Sequence, residues 1–265
     1  MDYNKDSLDT VCAALCYAMG IEPPENSAEP NQTIKNYIDE KLKGEKADRV
    51  FMFNPDAIAQ WIAEKYPLLL EPVSRRCELQ VPLLSVMPSV TPVCFGTMYT
   101  GAQPEVHGIR RYEKPVIKID SIFDALIRAG KRPAIIAETN CSMAEIYRER
   151  DMDYYICDNV EEIDAVAARL IREDKYDFIA VYNGNYDTLM HKYGPESVEA
   201  LSQLRANSLA FGLFYELIKE SWKQHRTLMG FAMDHGCHEI DGSCGSHGLD
   251  MPEDLNIRHC YTLIG

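Results

Sequence analysis

Short apolar runs that stop at polar turns constrain this chain more than any other feature. Val50-Phe51-Met52-Phe53 ends at Asn54-Pro55-Asp56, and comparable runs lie at Val81–Val86, Pro133–Ala137, Phe178–Tyr182 and Leu228–Met233. A strand with one wet face alternates apolar and polar residues, whereas a strand buried on both faces does not. Segments of helical periodicity separate the runs, among them Ala57–Lys65, Ser121–Ala129, Val160–Arg172 and Glu196–Gln224. This alternation predicts an α/β fold with a mostly parallel central sheet and helices on both faces. Asn54 and Pro55 suit the cap and first turn of the helix over 57–65. Residues 1–47, with helices over Leu8–Met19 and Ile34–Leu42, read as a helical N-terminal appendage to a single domain spanning residues 1–265.

A length of 265 residues suits one large core. The formal charge of −14 argues against a nucleic-acid binder, which needs clustered Lys and Arg. Nine scattered cysteines, an odd count without the dense spacing of small secreted domains, fit a reducing compartment. The first residues, Met1-Asp2-Tyr3-Asn4-Lys5-Asp6, hold neither a basic nor an apolar leader region, and no apolar stretch approaches the ~20 residues of a membrane span. The expectation is a soluble, cytoplasmic protein without a membrane partner.

Sites in open parallel sheets gather beyond the carboxyl ends of strands. Asp56, Asp187 and Asp234 all lie just past predicted strands, so three carboxylates distant in sequence can converge there. Asp187 and His191 are four residues apart and on a helix would share one face. Asp234-His235-Gly236 follows a buried run, and Ser246-His247-Gly248 places a further His next to a glycine. In Met87-Pro88-Ser89-Val90-Thr91-Pro92 a strand gives way to a helix start, where free amides favour an anion near the Thr91 hydroxyl. Each member also has a plain reading: Thr91 as a helix cap, Asp187 and His191 as a chance pair, Asp234-His235 as a polar turn. Cys237, His238, Cys244 and His247 offer a structural zinc site, although they lack the usual close Cys pair.

The run Met87-Pro88-Ser89-Val90-Thr91-Pro92-Val93-Cys94-Phe95-Gly96-Thr97-Met98-Tyr99-Thr100-Gly101-Ala102-Gln103-Pro104-Glu105-Val106-His107-Gly108-Ile109 resembles the nucleophile segment of the alkaline phosphatase superfamily, closest to its type I phosphodiesterase and nucleotide pyrophosphatase branch. Asp187…His191…Gly194-Pro195, Asp234-His235-Gly236 and His247-Gly248 resemble the remaining signatures, in order. The resemblance implies an alkaline phosphatase-like catalytic domain with a small or absent cap and two divalent metal ions, zinc or in some branches manganese. Asp187, His191 and His247 would bind one ion; Asp56, Asp234, His235 and the Thr91 oxygen would bind the other. Thr91 would be the nucleophile that forms a phosphothreonine intermediate, and His107 would be structural. The substrate would be a small-molecule phosphate ester or nucleotide.

Two departures bear on substrate. Cys94 stands where the resemblance implies an Asn that helps hold a phosphoryl oxygen, and as a substrate-binding residue a thiol is a poor donor. A sulfatase reading fails because Thr91 and Phe95 replace the residues that chemistry requires. The main expectation is a metal-dependent phosphodiesterase. The alternatives are a phosphomonoesterase or phosphomutase of the same superfamily, or a catalytically weak metal- or phosphate-binding module; oligomerisation is left open. Phe95, Tyr99, Tyr112 and Tyr186 read either as core and rim residues or as surfaces on which a base could stack.

Overall fold

A computed structural model describes residues 2–265. In chain order the elements are α1 (Thr10–Met19), α2 (Gln32–Leu42), β1 (Arg49–Pro55), α3 (Gln60–Lys65), α4 (Glu71–Ser74), β2 (Leu79–Leu84), α5 (Thr91–Thr100), α6 (Pro104–His107), α7 (Ile122–Arg128), β3 (Pro133–Glu138), α8 (Ser142–Ile146), β4 (Asp153–Cys157), α9 (Val160–Glu173), β5 (Phe178–Asn183), α10 (Asn185–Tyr193), α11 (Val198–Ser221), β6 (Thr227–Phe231), β7 (His238–Ile240), β8 (Cys244–Ser246), α12 (Pro252–Leu255) and β9 (Asn256–Ile264).

Seven strands form one sheet in the order β2-β9-β6-β1-β5-β3-β4, and β7 and β8 form a separate hairpin. From β6 to β4 every pairing is parallel; β9 runs antiparallel to both of its neighbours. The fold is the α/β class with a mostly parallel sheet that the sequence predicts. β1 and β5 lie at its centre and are buried almost throughout, which is why their sequences are unbroken apolar runs. The rings of Phe51 and Phe53 pack against Phe214 of α11, and Phe53 stacks on Phe231 of β6.

The expected helix over 57–65 is shorter than predicted. β1 continues through Pro55, and α3 starts only at Gln60. Asn54 is not its cap: the side chain is buried in the sheet, donating to the Ala232 carbonyl at 3.0 Å and accepting from the Tyr99 hydroxyl at 2.7 Å. Ala57 takes a φ of 61° directly after Asp56, which turns the chain away from the strand and breaks any early helix.

α1 belongs to the same hydrophobic core as the strands: Val11, Cys12, Leu15 and Cys16 are fully buried. Among the described residues no helix is long and apolar enough to cross a membrane.

Candidate metal centre and nucleophile

The carboxyl ends of β1, β5 and β6 lie side by side, so the turns that follow them meet. Asp56 leaves β1, its amide held by the carbonyl of Asn183 at the end of β5 at 3.0 Å. α10 begins at Asn185, directly after β5, and carries Asp187 and His191 on one face. Asp234 and His235 follow β6, and His247 follows β8 of the hairpin.

Two triads result. Ligand atoms of Asp187, His191 and His247 lie within 4.8 Å of one another, as do those of Asp56, Asp234 and His235. The triads adjoin, the rings of His235 and His247 stacking at 4.1 Å. Their depth differs. The Asp56, Asp234 and His235 side chains are at most 1% exposed, whereas the His191 side chain is 42% exposed.

Thr91 is the first residue of α5, and Val90 occupies the cap position. Its hydroxyl does not cap the helix. It lies 3.3 Å from Asp56 Oδ2 and 3.4 Å from His235 Nε2, on the edge of the buried triad.

The protonation pattern of the imidazoles tests whether these residues suit a cation. His191 Nδ1 lies 3.0 Å from the Gly245 carbonyl, His247 Nδ1 2.8 Å from the Ser89 carbonyl, and His235 Nδ1 2.9 Å from the Gly236 carbonyl. A carbonyl only accepts, so each Nδ1 carries the proton and each ring, when neutral, presents its Nε2 lone pair to the site. Those lone pairs face acceptors. His191 Nε2 and His247 Nε2 are 3.0 Å apart, and they lie 3.3 and 3.4 Å from Asp187 Oδ1. His235 Nε2 is 3.3 Å from Asp56 Oδ1 and 3.4 Å from Asp234 Oδ2. These same three carboxylate oxygens are buried without a hydrogen-bond partner. Acceptors converging on acceptors in a dry interior repel one another unless a cation stands between them, so the donor set fits divalent metal ions bound by nitrogen and oxygen.

Acidities record the same crowding. Burial, and then the neighbouring Asp187 carboxylate, pushes Asp56 up to about 7. Burial and the Asp56 charge push Asp234 well above the carboxylate range. Burial holds His235 down to about 3, which keeps its ring neutral.

The residues that brace this centre have no sequence signature. Tyr182 donates its hydroxyl to Asp56 Oδ2 at 2.5 Å, and the Ala57 amide donates to Asp234 Oδ1 at 3.2 Å. Ser85 Oγ donates to the Asp234 carbonyl at 2.6 Å. Ser89 holds His247 through its carbonyl and receives the Gly248 amide on its hydroxyl at 3.1 Å.

Cys94 lies one turn along α5 from Thr91, fully buried, with the Ser85 hydroxyl 3.2 Å from its sulfur. Burial raises its thiol pKa, so it stays neutral and packed against Ser85. Phe95, Tyr99 and Tyr186 are fully buried core residues, and only Tyr112 is open to solvent. The zinc alternative fails on partners: His238 Nδ1 pairs with Asp254 at 2.7 Å, Cys237 is buried beside the Tyr186 hydroxyl, and His247 faces Asp187. His107 is braced as a structural residue, with Nε2 3.1 Å from Thr97 Oγ1 and Nδ1 accepting the Ile109 amide at 3.3 Å. A surface groove of about 860 Å³ between Tyr66–Leu69 and Val198–Arg205 contains none of the candidate residues.

A model of the type I phosphodiesterase / nucleotide pyrophosphatase family matches residues 118–256. Asp187, His191, Asp234, His235 and His247 fall inside the match; Asp56 and Thr91 precede it. The chain is 32% identical over 110 residues to GPI ethanolamine phosphate transferase 1 of Gibberella zeae, covering 39% of this chain and 11% of that protein. Murine ectonucleotide pyrophosphatase / phosphodiesterase 5 superposes with a TM-score of 0.59 at 18% identity, covering 71% of this chain and 57% of that one. Phosphonoacetate hydrolase from Sinorhizobium meliloti 1021 superposes with a TM-score of 0.55 at 19% identity, covering 77% and 61%. The chain therefore spans a small part of the curated relative and about three fifths of these solved structures.

Proposed function

Because the chain belongs to the type I phosphodiesterase / nucleotide pyrophosphatase family, we propose that it is a metal-dependent hydrolase of small phosphate esters, of phosphodiesterase or nucleotide pyrophosphatase type, with Thr91 as nucleophile. One observation carries the reading: three imidazole lone pairs and three unpartnered buried carboxylate oxygens converge beside a hydroxyl that caps nothing. Asp187, His191 and His247 would hold one divalent cation; Asp56, Asp234, His235 and the Thr91 oxygen would hold the other. Zinc or manganese would suit these ligands, and when bound would supply the positive charge that stabilises an alkoxide and the oxygens of the reacting phosphoryl group.

Thr91 attacks phosphorus in line with the leaving oxygen. Its proton passes to Asp56 Oδ2, 3.3 Å away, as the new P–O bond forms and the bond to the leaving group breaks. Water then cleaves the phosphothreonine. The positive end of α5 faces the phosphoryl group throughout. Cys94, packed behind Thr91, acts on α5 through Ser85 and not on the substrate. Murine ectonucleotide pyrophosphatase / phosphodiesterase 5 has been solved as an inactive threonine-to-alanine variant in complex with AMP, which supports both a threonine nucleophile and a nucleotide-like substrate here. Nine unpaired thiols support a reducing, cytoplasmic setting.

The test is hydrolysis of p-nitrophenyl phosphate and bis-p-nitrophenyl phosphate by metal-stripped protein reconstituted with zinc or manganese. Faster diester turnover, lost in Thr91→Ala, is the expected result. Faster monoester turnover moves the assignment to a phosphatase. Wild-type rates in Thr91→Ala remove the nucleophile, and p-nitrophenol released without a matching equivalent of phosphate from the monoester, or of p-nitrophenyl phosphate from the diester, points to transfer or a mutase.

A further inference from the structure

Asp56 serves the buried triad with one oxygen and is gripped by the other. Oδ1 faces His235 Nε2 and has no hydrogen-bond partner, while Oδ2 accepts from the Tyr182 hydroxyl at 2.5 Å and lies 3.3 Å from Thr91 Oγ1. A carboxylate that rotates about its last bond can offer either oxygen, or both, to an ion. A short hydrogen bond on one oxygen removes that freedom and aims the other.

The Tyr182 ring is itself held firmly. It lies edge-on to Phe95 at 5.7 Å, and its residue is the last apolar position of β5 before Asn183. The next turn residue but one is Gly184, where an added Cβ would sit 2.7 Å from the Tyr182 hydroxyl oxygen and 3.1 Å from its ring. The chain thus leaves a space for this hydroxyl that any side chain at Gly184 would take. Neither feature is needed to close β5 or to start α10, whose first turn forms from Asn183 and Gly184 backbone and side-chain groups.

Resting on the two-ion reading above, we propose that Tyr182 is the positioning residue of the buried metal triad: its hydroxyl locks Asp56 so that Oδ1 alone meets the ion and Oδ2 stays beside the Thr91 hydroxyl. The effect is confined to one of the two ions, because among its hydrogen bonds Tyr182 touches no ligand of the Asp187, His191 and His247 triad.

Tyr182→Phe keeps the ring and removes only the grip. Titrating metal-stripped protein with zinc and, separately, with cobalt(II), whose visible absorbance reports coordination, resolves the two equivalents. The variant is expected to bind one equivalent as the wild type does and the other about 10–100-fold more weakly, the size typical of losing an outer hydrogen bond to a ligand. Asp187→Asn, which disables the outer triad, assigns the weakened equivalent: in the double variant the remaining tight site should weaken by the same factor. Gly184→Ala, which displaces the hydroxyl while leaving it in the chain, should reproduce the loss. Two unaltered affinities in Tyr182→Phe and an unaltered cobalt spectrum would overturn the proposal while leaving the two-ion reading in place. Wild-type protein that binds fewer than two equivalents would overturn that reading and this inference with it.

Discussion

α5 presents Thr91 at its first residue and has a glycine in its interior, Gly96, where intrinsic preference alone favours alanine by roughly 1 kcal/mol. The surroundings oppose the change. A Cβ at Gly96 would lie 2.8 Å from His107 Cε1, 3.0 Å from Nδ1 and 3.2 Å from Nε2. The imidazole cannot retreat freely, since both its nitrogens are hydrogen-bonded and the residue is 5% exposed. Overpacking of this kind costs about 1–3 kcal/mol, and loosening one hydrogen bond adds about 1. After the helix gain is subtracted, Gly96→Ala should destabilise the protein by about 2 kcal/mol. At roughly 2.1 cal/mol/K per residue, 265 residues give an unfolding entropy of about 0.6 kcal/mol/K, so the midpoint should fall by about 4 °C. Urea unfolding and calorimetry measure both quantities. The decisive arm is His107→Ala: in that background Gly96→Ala meets no ring and should become stabilising by roughly 1 kcal/mol. A destabilisation of equal size in both backgrounds would refute the argument that the imidazole dictates the glycine.

Burial holds His107 down to about 4 from its ordinary 6.5, so the unfolded chain binds the extra proton first as pH falls. Its contribution is complete above pH 6.5 and drains away toward pH 4, and integrating that linkage gives a loss of about 2 kcal/mol between pH 7.5 and 5. Urea midpoints of His107→Gln should be correspondingly less pH-dependent over that interval; parallel curves would count against it. Asp164 on α9 has the opposite sign. Burial, helped by Glu161, raises it to about 6, and its Oδ1 has no partner, so the unfolded chain gives up this proton first as pH rises, and the penalty on the fold builds from about pH 4 and is complete above about pH 6. Asp164→Asn should therefore stabilise at pH 7.5 by about 1 kcal/mol, discounted for partial exposure, and by almost nothing at about pH 3, below both pKa values. Ser85→Ala should cost about 1–3 kcal/mol by leaving the Asp234 carbonyl unsatisfied, and equal stability by urea titration would show that water replaces the hydroxyl.

What the sequence reveals and hides follows from which forces act locally. β1, β5 and β6 are legible because burial on both faces demands uninterrupted apolar residues, and Asp56, Asp187 and Asp234 are legible because they stand where those runs stop. β9 is not, since its buried Asn256 and His259 look like surface residues until their distant partners are known: Asn256 receives the Asn4 amide at 2.8 Å, and His259 Nε2 lies 2.7 Å from the Met233 carbonyl. β4 escapes notice as an edge strand with only partial burial. Asn54 misleads for the same reason as β9. It has the chemistry of a cap, but a neighbouring strand and Tyr99 claim it first. In the candidate site the Asp and His side chains of the two triads are visible and their braces are not. Gly245, Ser89 and Gly236 act through backbone carbonyls, which every residue possesses, and Tyr182 reads as the last hydrophobic residue of a strand.

The seven residues from Ser85 to Thr91 touch both triads: the Ser85 hydroxyl holds the Asp234 backbone, the Ser89 carbonyl holds His247, and Thr91 stands against Asp56 and His235. A nucleophile mounted on one loop and ligands mounted on others would drift apart with each fluctuation, and the attacking distance would carry the summed error of every joint. Here the segment that bears Thr91 is also the datum from which a residue of each triad is located. When it shifts, the hydroxyl and its neighbours shift as one part, so the tolerance on their spacing is set by the two short hydrogen bonds from Ser85 and Ser89 and not by the stiffness of the whole sheet.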